Sequence, residues 1–229
     1  MSGDQQVYVH ALALGLDPAW RRRTEPERRE DGLAFSEAEG EAAKDAVRSV
    51  AYSSIGLEPG VDVLLWRMAP SVDALEAAAA RLLRSGIGRW LNVRHSLVGR
   101  IGPSQYVRKP TEQEQSLFTG ERSRYLVVYP FVKNTDWYLL SKEARQGVMN
   151  EHMRVGHEYP TVRQALAYSF GLDDQEFVVA YEMDDLVVFG DLVRALRSTE
   201  SRRSTVRDTP ILLGIHRPMT EILELLGAA

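Results

Sequence analysis

The chain has 229 residues, 44% hydrophobic and 26% charged, with 28 Lys and Arg against 32 Asp and Glu and a formal net charge of -4. That balance excludes a disordered chain and the basic footprint of a nucleic-acid binder. No cysteine is present, which excludes disulfides, thiolate metal sites and cysteine nucleophiles. No run of about 18 apolar residues occurs, and the start MSGDQQVYVHALALGL lacks a basic n-region, so neither a membrane span nor a secretory leader is expected and the protein is read as cytoplasmic.

In chain order, VYVHALALGL from Val7 is a strand-like run. Pro18 and the Arg/Glu-rich residues to Gly32 read as a polar loop, in which Arg21, Arg22 and Arg23 form a solvated cluster. Ser36 followed by Glu39 has the spacing of a capping box and predicts a helix to about Ala51. VDVLLWRMA, Val61 to Ala69, is a strand; VDALEAAAARLLRS after Pro70 favours a helix, and VRHSLVGRIG a further strand. The second half repeats the plan. YLVVYPFV is a strand, SKEARQGVMNEHMRVGHEY a helix with Ser141 as N-cap, VRQALAYSF and EFVVAYEM two strands, DDLVVFGDLVRALRS a helix and ILLGIH a final strand.

Two segments are alike. LLWRMAPSVDALEAAAARLLRS and VVAYEMDDLVVFGDLVRALRS each run strand, polar break, helix, and each ends in Leu-Arg-Ser, at Ser85 and Ser198. The pattern predicts an α+β fold of two ferredoxin-like βαββαβ repeats forming a dimeric α+β-barrel-type domain pair, residues 1–115 and 116–229, with the division inside RKPTEQEQS.

Five histidines are present, and no H-E-x-x-H, G-x-S-x-G, P-loop or dinucleotide fingerprint occurs, so the common hydrolase, zinc and nucleotide chemistries lose support. His152 falls where it can point inward with Val148, Met149 and Val155, as a structural histidine or as a metal ligand. Tyr129, Phe131 and Lys133 alternate onto one strand face. Tyr129 is then either a core ring or a reactive phenol, and Lys133 either a solvated turn lysine or a cation beside that phenol. Glu182 is either a strand-end charge in water or an acceptor.

Tyr-Pro-Phe-Val-Lys, the Trp-Tyr pair and a histidine about two dozen residues after the tyrosine stand in YPFVKNTDWYLLSKEARQGVMNEHMRVGHEYPTVRQALAYSF. With EFVVAYEMDDLVVFGDLVRALRSTESRR they resemble the chlorite-dismutase-like superfamily, and most closely its bacterial coproheme decarboxylases. The likeness is dense in the second half and loose in the first, through GVDVLLWRMAPSVDALEAAAARL. It implies an iron porphyrin held by the C-terminal repeat, with coproheme as substrate and cofactor, haem b as product and hydrogen peroxide as oxidant. It implies His152 as the proximal iron ligand, Glu182 as the acceptor orienting that imidazole, Tyr129 as the catalytic tyrosine acting through a radical and Lys133 near a propionate. Trp137 and Tyr138 would pack the pocket wall. Relatives with a distal histidine place it upstream of the tyrosine, where this chain has TEQEQSLF, so Glu112 or Glu114 is the candidate distal base. Ala165 stands where other branches have a glutamine or arginine, with Arg163 and Gln164 beside it, which ranks chlorite dismutation below decarboxylation. The resemblance also implies a homopentamer. The alternatives are a haem-dependent paralogue oxidising another small molecule and a non-catalytic haem-binding protein.

Overall fold

In the computed structural model, which describes residues 6–103, 106 and 121–228, the first apolar run folds as strand β1, Val7–Leu16. The stretch read as a loop does not stay irregular. After a short 3-10 turn at Pro18–Arg22, helix α1 spans Glu25–Gly40. Its start is set by Thr24, whose backbone N–H donates to Glu27 Oε2 at 2.8 Å, the reciprocal half of a capping box. Pro26 sits in the first turn, where a missing N–H costs nothing. The Ser36–Glu39 spacing therefore lies inside a helix already begun, and chain reversal comes earlier than predicted: a 3-10 turn at Glu41–Asp45 ends at Ala46 with φ 57°. Strand β2, Arg48–Glu58, follows where the helix was expected to end.

Strand β3 (Val61–Ala69), helix α2 (Val72–Leu83) and strand β4 (Leu91–Ile101) complete this part in the expected places. β1 pairs antiparallel with both β3 and β4, and β3 with β2, giving the order β4-β1-β3-β2. That is the ferredoxin-like order, in which each βαβ crossover spans a neighbouring strand. Gly86, at φ 49°, lets the turn Gly86–Trp90 approach α1 so closely that a Cβ would strike the Asp31 carbonyl oxygen.

The second part runs β5 (Tyr125–Lys133), α3 (Thr135–Leu139), α4 (Lys142–His157), β6 (Arg163–Tyr168), β7 (Phe177–Met183), α5 (Leu186–Arg197) and β8 (Thr205–Arg207). Its antiparallel pairings give β6-β7-β5-β8, the same order again. The fold is thus α+β, built of two ferredoxin-like units.

The last predicted strand does not close the second unit. β9 (Leu212–His216) pairs with β2 through Tyr52–His216 and Ser53–Ile215, and Ser54 Oγ donates to the Leu213 carbonyl at 2.7 Å. Helix α6, Met219–Leu226, then packs Met219, Ile222, Leu223 and Leu226 into the core of Trp20, Phe35, Leu65 and Ile87. The compact units are accordingly Met1–Ile101 with Leu212–Ala229, and Gly102–Ile211. Three-residue β8 takes the closing position in the second unit. The division expected at 115/116 lies outside the described residues. Among the described residues, no helix is long and apolar enough to cross a membrane.

Candidate active site

β5 is rich in aromatic and β-branched residues, and its alternation sends Tyr129, Phe131 and Lys133 to one face. Lys133 is buried, and its ammonium donates to the Ser201 carbonyl at 2.8 Å and to Ser201 Oγ at 2.9 Å. It also lies 4.6 Å from the Trp137 ring centroid and 5.1 Å from that of Phe131, a cation held by π-faces in place of water. Burial first, and Arg202 second, push its pKa down to about 8. The turn after β5 explains how Trp137 arrives there. Asn134 Oδ1 accepts from the Trp137 N–H at 3.0 Å, starting α3, whose buried residue is Trp137.

α4 begins at Ser141, whose Oγ accepts from Ala144 N–H at 3.2 Å. His152 lies on its inner face, where burial, assisted by the neighbouring Lys133 charge, pushes the imidazole down to about 4. The ring is therefore neutral at neutral pH. Its Nδ1 is buried and has no hydrogen-bond partner. One turn of contact joins α4 to the chain that carries Ser201: Glu151 Oε2 accepts the Glu200 N–H at 3.0 Å, fixing the 3-10 turn Glu200–Ser204. His152, Lys133 and Ser201 are brought together this way.

Tyr129 is half-buried, and desolvation of its hydroxyl, then Tyr181, hold its pKa well above the ordinary phenol value. Asp208 and Arg197 are charged neighbours of the same hydroxyl. Asp208 is itself clamped, with Arg202 Nη1 at 2.6 Å and Arg197 Nη2 at 3.5 Å. Aromatic rings continue the face: Phe131 meets Phe177 at 6.3 Å, Phe177 meets Phe170 at 5.3 Å and Phe170 meets Tyr138 at 5.9 Å between centroids. Such edge-to-face contacts make a stiff apolar wall.

Glu182 lies elsewhere. Register places it opposite Leu126 and Arg163, on the face of the sheet away from Tyr129 and Tyr181. It is fully buried and ion-paired with Arg163 at 3.2 Å and Arg122 at 3.4 Å. The hydrogen bond expected from His152 Nδ1 to Glu182 is not made, because alternation turned the carboxylate to the other side of β7. Arg163, bound to Glu182 and to the Glu121 carbonyl at 2.8 Å, shares that face with Ala165. Glu112 and Glu114 lie outside the described residues. Sequence reasoning missed Ser201, Asp208 and Tyr181. The signal for Tyr181 was one residue away, since in VVAYEM either Tyr181 or Glu182 faces Tyr129, not both.

A family model described as chlorite dismutase matches residues 28–217. The chain belongs to the chlorite dismutase family. This bears out the resemblance read from YPFVK and the Trp-Tyr pair. Within the chlorite dismutase family, the chain is 32% identical over 165 residues to the coproheme decarboxylase of Mycolicibacterium smegmatis, covering 71% of this chain and 70% of that protein. It is 27% identical over 195 residues to the chlorite dismutase of Ideonella dechloratans, covering 82% and 68%. The chlorite dismutase of Candidatus Nitrospira defluvii in complex with imidazole superposes with a TM-score of 0.84 at 27% identity, over 96% of this chain and 95% of that one. A mutant of the same enzyme gives 0.86 at 27% identity, over 99% and 97%. These relatives are enzymes, by name a decarboxylase and a dismutase.

Proposed function

We propose that the protein is a coproheme decarboxylase, which converts propionates of iron-coproporphyrin III to vinyl groups with hydrogen peroxide and releases haem b. The observation that carries the reading is the pairing of a neutral imidazole whose buried Nδ1 has no partner, His152, with a desolvated phenol, Tyr129, beside one buried cation, Lys133. These residues fit an iron porphyrin. Among the described residues no group of three or more His, Asp or Glu could hold a metal, and a single imidazole suits a metal that brings its own equatorial nitrogens. α4 has no fully buried residue along its length, so its inner face of Val148, Met149, His152 and Met153 remains half-buried.

When bound, the iron porphyrin supplies oxidising equivalents drawn from peroxide. The protein's part is positioning. His152 holds the iron through its neutral ring, and the aromatic wall lines the macrocycle. Lys133, Arg197 and Arg202 favour propionate carboxylates at the edge where Tyr129 stands. Tyr129 gives up its phenolic hydrogen atom as electron and proton, then takes a hydrogen atom from the propionate β-carbon and is restored. As a second electron leaves, the bond to the carboxylate breaks. Each propionate thus becomes a vinyl group and carbon dioxide, while one peroxide and one proton become two waters. The homopentamer expected from the family belongs to this reading, and sedimentation velocity tests it.

Tyr129→Phe removes one oxygen and keeps the ring. The variant is expected to bind coproheme with affinity within about twofold of wild type and to leave it intact after peroxide. Mass spectrometry of the porphyrin decides the point: vinyl products at the wild-type rate would remove Tyr129 from the reaction, and with it the proposed route.

A further inference from the structure

The nearest reactive neighbour of Tyr129 is not a charged group but a second tyrosine. Tyr181 stands on β7 opposite Val127, one diagonal step from the Tyr129–Val179 pair, so the two rings share one face of the sheet. They are stacked, with centroids 6.0 Å apart and planes 29° apart, and their hydroxyls are hydrogen-bonded to each other. Tyr181 is 5% exposed, and its far side is covered by Phe189 at 5.3 Å. A phenylalanine ring is far harder to oxidise than a phenol, so nothing beyond Tyr181 along this line of rings accepts an oxidising equivalent.

We propose that Tyr181 is a second redox-active residue, which exchanges a hydrogen atom with Tyr129 across their shared hydrogen bond. The proposal rests on the decarboxylase reading above, in which peroxide and the iron porphyrin generate the Tyr129 radical. In the exchange, the O–H bond of Tyr181 breaks and that of Tyr129 forms. Proton and electron move together between the oxygens, Tyr129 returns to a neutral phenol and Tyr181 becomes the radical. No external base is required, and the driving force is small because both partners are phenols. The fixed hydrogen bond is the path for the proton, and the stacked rings are the path for the electron. Both phenols stay protonated throughout the physiological range, since burial raises each. Tyr181 then acts as a dry store for the oxidising equivalent while a propionate is brought to Tyr129.

High-field electron paramagnetic resonance on the coproheme-loaded protein, frozen after peroxide addition, tests the pair. The low-field g component of a tyrosyl radical falls when its oxygen is hydrogen-bonded. Tyr181→Phe is expected to raise that component and to slow decarboxylation by about fivefold, the order of one lost hydrogen bond. Tyr129→Phe is expected to retain a tyrosyl signal that disappears in the double variant. Circular dichroism melts of each variant show that the loss is not unfolding, because Tyr→Phe keeps the ring. If wild type decarboxylates and neither signal responds to position 181, Tyr181 is a packing residue and the decarboxylase reading stands. If wild type does not decarboxylate but its radical still depends on Tyr181, the pair stands and the substrate assignment falls. Absence of a tyrosyl radical in every form, with decarboxylation intact, overturns the exchange and the radical route together.

Discussion

The two ferredoxin-like units share a strand order and use their helices in opposite ways. In the first unit, α1 buries Phe35 and Ala38, α2 buries Leu75, Ala78 and Leu82, and α6 adds four buried residues. Even its buried polar groups are matched. His10 and Ser96 lie 3.0 Å apart, Arg67 Nη1 is 3.3 Å from His10 Nδ1, and Arg67 Nη2 donates to the Leu75 carbonyl at 3.0 Å. In the second unit, α4 buries no residue and α5 only Leu192, while His152 Nδ1 is left without a partner. Duplicated topology therefore does not mean duplicated packing. One copy spends its helix faces on its own core; the other keeps them for a ligand, at the cost of an unpaired polar atom.

The comparison breaks most sharply at His152. His152→Ala is expected to abolish the ligand-bound Soret spectrum of protein reconstituted with iron porphyrin while leaving the apoprotein's melting temperature nearly unchanged. Should His157→Ala remove the spectrum instead, α4 presents a different residue to the iron. Next in size, Phe35→Ala in the first unit is expected to cost about 3–5 kcal/mol in urea unfolding, against under about 1 kcal/mol for Met149→Ala on α4 of the apoprotein. Equal losses would mean that the second unit is as tightly filled as the first. The smallest effect is in pH. His152 titrates near 4 folded against 6.5 unfolded, so the unfolded chain binds the proton more readily between those values. Stability contributed by the neutral ring is full above about 6.5 and is lost as pH falls toward 4. His152→Gln should flatten apoprotein melting temperature in that window. Lys133 has the same sign at higher pH: it titrates near 8 folded against 10.5 unfolded, so stability rises with pH across that interval.

Much of this was legible in the sequence where local signals agree. YPFVK carries both the strand alternation and the aligned Tyr129, Phe131 and Lys133, and Ser141 announced α4 with His152 on it. The α1 start was hidden because Pro26 and the surrounding charges resemble a loop, whereas Thr24 and Glu27 supply a cap. β2, RSVAYSSIGLE, is weakly apolar in its outer half, and partners on both sides make it a strand. Ser201 could not be found by pattern, since what recruits it is a contact between Glu151 and the Glu200 N–H across 49 residues. Glu182 was misplaced by a single step of register, and in a strand one step is the opposite face.

The return of the chain to its first unit has a kinetic side. Because Leu212–Ala229 belongs with Met1–Ile101, the whole Gly102–Ile211 unit is an insertion between two pieces of one core. The Trp20–Phe35 cluster lacks Met219, Ile222, Leu223 and Leu226 until synthesis is almost finished. On the ribosome the inserted unit has all of its strands translated first. The nascent chain therefore completes its structural foundation last, after the part that carries Tyr129 and His152 has already emerged.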